Sequence, residues 1–345
     1  MSNQKLFNVA VVGASGAVGE QIIKLLETRN FPIESIKFLS SARSAGKSVM
    51  FKGVEYKLEE AKPESFDGVD IALFSAGGDV SKALAPEAAK RGAVCIDNTS
   101  AFRMDENTPL VVPEVNPEKI KEHKGIIANP NCSTIQMVAT LKPLHDRFKI
   151  KRIIVSTYQA VSGAGAKAIN ETIRQSKAVL AGEPVNPDVL PVGGLPVKHQ
   201  IAFNAIPQID KFTDNGYTYE EMKMTNETKK IMGDDSIEVS ATCVRIPVIY
   251  GHSESVYVEF ENSYDLAEVR TLLENAPGIV VVDDPTTQAY PLATDAAGKI
   301  DVFVGRLRRD ITSENGLNMW IVSDNLLKGA AWNAVQIAEY IAKGE

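Results

Sequence analysis

The sequence predicts an α/β chain of two domains: a doubly wound parallel sheet, then an α+β domain built on a large mixed sheet. Three observations predict it. Short apolar runs alternate with helical patterns through the first third of the chain, a glycine-rich turn joins the first run to the first helix, and from about Ile153 the apolar runs lengthen while fewer helices separate them. A length of 345 residues with 44% hydrophobic content is enough for two cores.

Each element has its own signal. "FNVAVVG" reads as a buried strand, "EQIIKLLETRN" as a helix with Ile22, Ile23, Leu25 and Leu26 on its apolar face, and "SIKFLSS" as a second strand. "VDIALFSAGG", "SKALAPEAAKRG" and "AVCID" continue the alternation as strand, helix and strand. Beyond Ile153, "RIIVSTYQAVSG", "SIEVSATCVRIPV" and "ESVYVEF" read as strands of a mixed or antiparallel sheet covered on one face. The stretch 182–200 holds four prolines and three glycines, too long for an ordinary connection, so it is a functional loop or an arm reaching a partner. Near the C-terminus a strand runs into an amphipathic helix (Leu327, Ala330, Ala331, Ala334, Ile337, Ala338, Ile341) expected to pack back on the first domain. The expected domains are residues 1–131 completed by 324–345, and residues 132–323.

Composition excludes several classes. A net charge of −7 with acids and bases interspersed argues against a nucleic-acid binder. The N-terminal apolar run is cut at Gly13, too early for a secretion signal or a membrane span, so a cytoplasmic protein is expected. Cys95, Cys132 and Cys243 form no C-x-x-C and the histidines no H-E-x-x-H, so neither a disulfide framework nor a metal site is expected.

In "VVGASGAVGE", Gly13, Gly16 and Gly19 with Ser15, Ala17 and Val18 follow a strand and open a helix. That context lets main-chain N–H groups and the helix dipole hold a phosphate, as in a Rossmann-type dinucleotide site. The second strand ends in "LSSARSAGK" rather than in Asp or Glu. Arg43 with the Ser41 and Ser44 hydroxyls suits a 2′-phosphate, which favours NADP, the alternative being a solvated loop arginine.

Cys132 sits between a strand-like run and a helix-like one, after Asn129-Pro130-Asn131, which reads as a turn and cap. The first turn of a helix stabilises a thiolate and offers N–H groups to a developing oxyanion, so Cys132 is the candidate nucleophile. Cys95 and Cys243 lie inside apolar strands and read as inert fillers.

"GASGAVGE", "NTSAFRM", "NPNCSTIQ", "YQAVSGAG", "EEMKM", "CVRIPVIYGHSESV" and "SDNLLKGAAWN", in order from about Phe7 to Tyr340, resemble the aspartate-β-semialdehyde dehydrogenases. The resemblance implies NADPH-dependent reductive dephosphorylation of β-aspartyl phosphate to the semialdehyde and phosphate, through a cysteine thioester. It implies Cys132 as nucleophile, His252 as acid/base, and Gln159 orienting the carbonyl. Arg245 would bind the α-carboxylate and Glu220 the α-ammonium, with Arg103, Lys223 and Asn131 at the phosphate. Cofactor contacts would come from Gly13 and the Ser15–Val18 turn, Ser41, Arg43 and Ser44, from Ser162 and Gly163 beside the nicotinamide, and from Asn325. A homodimer through the sheet of the second domain is implied as well.

The chemistry asks for these residue types on its own account. An anionic leaving phosphate needs cations such as Arg103 and Lys223, a guanidinium matches a carboxylate through two parallel bonds, and a histidine that titrates near neutrality suits proton transfer. Plainer readings stand beside them. Glu220 and Lys223 are spaced as a solvated helix pair, Arg103 lies in a polar loop, and Arg245 and His252 are seven residues apart across a break at Pro247. N-acetyl-γ-glutamyl-phosphate reductase is the enzymatic alternative, with an acylated amine that gives Glu220 no purpose; a non-catalytic NADPH-binding sensor is the other.

Overall fold

A computed structural model describes residues 5–344, which divide into two compact units: one holds the described residues up to Asn131 and those from Gly329 on, and the other is Cys132–Lys328. The first unit runs β1 (Phe7–Val12), α1 (Ala17–Thr28), β2 (Ile33–Ser40), β3 (Ser48–Phe51), β4 (Val54–Lys57), β5 (Glu59–Glu60), β6 (Ile71–Phe74), α2 (Gly78–Lys90), β7 (Val94–Asp97) and β8 (Ile126–Ala128). Its main sheet has the order β5-β2-β1-β6-β7-β8 and every pair is parallel. Residues 9–12 of β1 and all of β6 are at most 1% exposed, as expected of central strands covered on both faces. The β3–β4 hairpin is absent from the sequence reading, because strands of four residues are too short to show a period.

Two glycines set the turn after β1. Gly13 has φ +84°, and a Cβ there would lie 2.8 Å from the Ser75 and Ala76 backbone. A Cβ on Gly19 would come within 2.2 Å of the Gly13 carbonyl oxygen, so α1 can start this close to the strand end only without one.

The second unit runs α3 (Cys132–Phe148), β9 (Ile150–Gln159), α4 (Ala166–Ala181), α5 (Tyr219–Met232), β10 (Glu238–Arg245), β11 (His252–Phe260), α6 (Leu266–Glu274), β12 (Ile279–Val281), α7 (Ala293–Ala296), β13 (Val302–Arg309) and β14 (Gly316–Ser323). The strand order is β10-β9-β11-β14-β13-β12, with antiparallel inner pairs and parallel outer pairs, hence a mixed sheet. Helix α3 packs along the inner strands, with α5 and α6 against it. On that face Ile153, Val155, Val256, Val258 and Phe260 are buried, whereas Ile154 and Tyr158 on the opposite face are 46% and 36% exposed.

Helix α4 ties down the proline-rich stretch. Glu171 accepts the main-chain N–H groups of Asp188, Val189 and Leu190 at 2.6 to 3.0 Å, and Gln175 Oε1 accepts those of Ile201 and Ala202. Buried acceptors thus take the place of a ladder for a segment with no regular structure.

The chain re-enters the first unit at Gly329, five residues later than the expected boundary at 324. Asp324 and Asn325 stay with the second unit because their side chains accept main-chain N–H groups there, Asp324 from Gly298 and Asn325 from Gly251. Helix α8 (Trp332–Lys343) then packs on α1, where Arg29 bonds Glu339 at 2.9 Å and stacks over Trp332. Among the described residues no helix is long and apolar enough to cross a membrane.

Candidate active site

Helix α3 opens on Cys132, since Pro130 cannot donate to a strand ladder and ends β8 before it. Ser133 to Leu141 are all at most 2% exposed, so the first turns are held on every side while Cys132 keeps partial exposure at the start of the helix. Cys95 and Cys243 are fully buried. Burial pushes the Cys95 thiol up to about 12 and raises Cys243 further, which makes both poor nucleophiles.

Three neighbouring strands bring the remaining groups together. Gln159 ends β9, Arg245 ends the parallel β10 and pairs with it in register, and His252 begins β11 on the other side of β9. Residues seven apart in sequence therefore flank one strand end, which the break at Pro247 had concealed. Gly163 lies against both: a Cβ there would be 3.0 Å from Arg245 Nη1 and 3.5 Å from His252 Nε2.

The hydrogen bonds fix which atoms carry protons. The Ala160 main-chain N–H donates to His252 Nδ1 at 3.0 Å, so the ring proton sits on Nε2. Gln159 Oε1 accepts from the Thr157 hydroxyl and Gln159 Nε2 donates to Glu220, which fixes the amide. Gln159 Nε2 and His252 Nε2 then stand 3.4 Å apart as two donors, an arrangement that suits an oxygen acceptor shared between them. Burial, with Arg245 adding to it, lowers the His252 pKa to about 3. This corrects the expectation of a histidine that titrates near neutrality: the resting ring is a neutral donor, because an imidazolium would lose both its solvation and its bond from Ala160.

Arg245 is 5% exposed and donates from Nη1 to the Ala160 carbonyl at 2.7 Å, while its Nε is buried with no acceptor. Such a donor suits a carboxylate. Glu220 is no solvated helix residue. It is 5% exposed, its Oε1 accepts from Gln159, and its Oε2 accepts from Lys223 Nζ at 3.2 Å. The helix places it there through the Thr218–Glu221 capping box, whose Glu221 also accepts the Cys243 N–H of β10.

Within the first unit, Arg103 is 8% exposed and donates to the carbonyls of Asn98 and Asn129, so it is no surface arginine. Asn131 is buried, Arg43 and Ser41 are exposed just past β2, and Ser44 is buried. Helix α1 starts at Gly16 with no side-chain cap, which fits main-chain donors offered to a phosphate. In the second unit Ser162 is hydrogen-bonded to Asn325, and Asn325 also accepts the Gly251 N–H, so this pair secures the turn before His252. Among the described residues no three acidic, His or Cys side chains group as a metal site would need.

Residues 8–123 match the family description "Semialdehyde dehydrogenase, NAD binding domain", and residues 141–328 match "Semialdehyde dehydrogenase, dimerisation domain". The chain belongs to the semialdehyde dehydrogenase family. It is 62% identical to the aspartate-semialdehyde dehydrogenase of Bacillus subtilis, with 97% of each chain covered. The crystal structure of aspartate semialdehyde dehydrogenase II from Vibrio cholerae, complexed with ASA, is similar at 49% identity and a TM-score of 0.94, covering 98% of this chain and 99% of that one. A second similar structure, aspartate semialdehyde dehydrogenase with NADP from Candida albicans, has 27% identity and a TM-score of 0.76, with 99% of each chain covered.

Sequence reasoning missed several groups in this family member's site: Ala160, whose backbone holds both His252 and Arg245, Thr157, and the carboxyl of Glu254. The alternation of β9 marks Thr157 as sharing a face with Gln159; nothing local marks a main-chain contact. Glu254 lies two residues beyond His252, fully buried, and neither of its oxygens has a hydrogen-bond partner. Burial raises its pKa well above 4.5, with the Gln136 amide opposing that rise. Native protein therefore holds a proton that the unfolded chain releases. This contribution to stability is complete below about pH 4.5 and is lost as pH rises towards the folded value. Glu254→Gln, neutral at every pH, is expected to match the parent in chemical denaturation at pH 4 and to exceed it increasingly from pH 5 to 8. A constant difference across that range would show the carboxyl to be ionised in the fold.

Proposed function

We propose that this family member catalyses NADPH-dependent reductive dephosphorylation of β-aspartyl phosphate to aspartate semialdehyde and phosphate, with Cys132 as the thioester nucleophile. The observation that carries the reading is the convergence of Gln159, Glu220, Arg245 and His252 in the unit that Cys132 opens. Arg245 Nε offers a buried donor to the α-carboxylate, and Glu220 offers an anion to the α-ammonium. An acylated amine carries no charge for Glu220 to meet, which favours the aspartyl substrate over the N-acetylglutamyl one.

Cys132 sulfur bonds to the acyl carbon, the carbon–oxygen bond to phosphate breaks, and the thiol proton leaves with the phosphate, whose charge Arg103, Lys223 and Asn131 are proposed to meet. NADPH supplies a hydride to the acyl carbon when bound. His252 Nε2–H and Gln159 Nε2–H hold the carbonyl oxygen as it gains charge in each tetrahedral stage. Sulfur then leaves the carbon, the aldehyde forms, and the thiolate takes a proton from water. The test is NADP reduction with aspartate semialdehyde plus phosphate, followed at the nicotinamide absorbance; no turnover would sink the reading.

NADP rather than NAD is proposed on the exposed Arg43 beside Ser41 and Ser44 at the end of β2. Gly13, Ser15, Gly16, Ala17 and Val18 would hold the pyrophosphate, with Ser162, Gly163 and Asn325 proposed for the nicotinamide half. Arg43→Glu is expected to raise KM for NADP by about ten- to a hundredfold, the worth of a charged hydrogen bond, and to leave NAD turnover almost unchanged. Equal effects on both cofactors would make Arg43 part of the scaffold. A homodimer is proposed through the open sheet face that carries Ile154, Tyr158 and the Tyr158–Trp320 ring pair.

A further inference from the structure

We propose that Asp210 is a positioning residue that divides Lys223 between two carboxylates, keeping Glu220 available to a substrate ammonium and limiting the affinity for phosphate. Lys223 Nζ lies 3.0 Å from Asp210 Oδ2 and 3.2 Å from Glu220 Oε2. The Glu220 side chain is 7% exposed and that of Asp210 37%, so the lysine joins a buried anion to a half-exposed one. From Glu220 the chain of contacts continues through Gln159 to His252.

Asp210 is built to stay where it is. Its backbone is left-handed, at φ 69°, its Oδ1 accepts the Lys211 N–H at 2.8 Å, and its carbonyl accepts from Gln208 Nε2 at 3.1 Å. The Lys211 carbonyl accepts the Tyr219 N–H, which pins this loop to the first turn of α5, the helix that carries both Glu220 and Lys223. The position of Asp210 relative to the pair is therefore set by main-chain bonds.

The consequence is electrostatic. A lysine committed to Glu220 alone would compete directly with an incoming ammonium for the same carboxylate. Asp210 draws part of that charge away, and Glu220 keeps its capacity. The same aspartate places a second negative charge beside the cation proposed to receive phosphate, and like charges oppose one another there. Neutralising Asp210 should then have opposite effects on two substrates of one reaction: phosphate binds more tightly and the semialdehyde less tightly. A residue that merely supported the loop would, when altered, harm both.

The inference rests on the proposed activity, and the test separates the two. Asp210→Asn removes the charge but keeps a side-chain oxygen for the Lys211 N–H, and Asn tolerates the left-handed backbone, so the fold is expected to hold. With the full chain and NADP, KM for phosphate is expected to fall and KM for aspartate semialdehyde to rise, each by roughly two- to fivefold, as for a half-exposed ion pair. Thermal denaturation should be unchanged, and Asp210→Glu, which keeps the charge, should restore the parent ratio of the two KM values. Two KM values that move together, or that do not move in Asp210→Asn, overturn the inference while the activity stands. Absence of turnover in the parent enzyme removes the reading on which the inference depends, and the inference with it.

Discussion

Cys132→Ala is expected to lower turnover by roughly 10⁴-fold or more, the scale seen when a covalent nucleophile is removed, while the fold and cofactor binding survive. The loss should be chemical and not structural. Cys132 is partly exposed at the start of α3, whose following nine residues are packed at 2% exposure or less, so deleting one sulfur leaves little cavity. Cys95→Ala and Cys243→Ala should behave in the opposite way, active but less stable, because both sulfurs are fully buried. An alkylating reagent at neutral pH should label Cys132 first, since burial holds the other two thiols protonated. Incubation with aspartate semialdehyde and NADP, without phosphate, should leave an aspartyl adduct on the peptide that contains "NPNCSTIQ". Turnover in Cys132→Ala within about tenfold of the parent, or an adduct on Cys95 or Cys243, would refute the mechanism.

For His252→Ala, kcat should fall by about 10²–10³-fold, the usual cost of one oxyanion donor, with KM for the semialdehyde nearly constant. The hydrogen bonding makes a finer prediction. If the working group is the Nε2–H of a neutral ring, His252→Gln, whose amide can present a donor near the same place, should recover part of the loss. The kcat profile should likewise show no histidine limb between pH 5 and 8, because the folded pKa is lowered to about 3 and the ring is neutral throughout. A fall in kcat as pH rises through about 6.5, absent in His252→Gln, would mean that the imidazolium is the working form and that the Ala160 bond breaks in the cycle.

Local pattern was a good guide wherever one element explains one signal. Continuous apolar runs marked β1 and β6, since strands covered on both faces have no polar side to alternate with. The turn at Asn129-Pro130-Asn131 marked the start of α3 and so the setting of Cys132. Polar and irregular segments were less legible. The β3–β4 hairpin has strands of only four residues, too short to show a period, and the second compact unit runs on past 323 to Lys328 because side-chain bonding to distant backbone keeps Asp324 and Asn325 in it.

By itself, then, the sequence determined the two sheets, the glycine turn and the helix that begins at Cys132, because each follows from short-range periodicity and turn chemistry, whereas the other site residues were marked only by the resemblance to the aspartate-β-semialdehyde dehydrogenases. Only the tertiary structure decided which of those residues meet and in what state. Gln159, Arg245 and His252 converge because β9 lies between β10 and β11, a pairing that no local pattern encodes. The lowered pKa of His252, the raised pKa of Glu254 and the sharing of Lys223 between Asp210 and Glu220 are likewise beyond any local reading. The physical reason is that charge states depend on desolvation and on neighbours brought from far along the chain, and both exist only once the chain has packed.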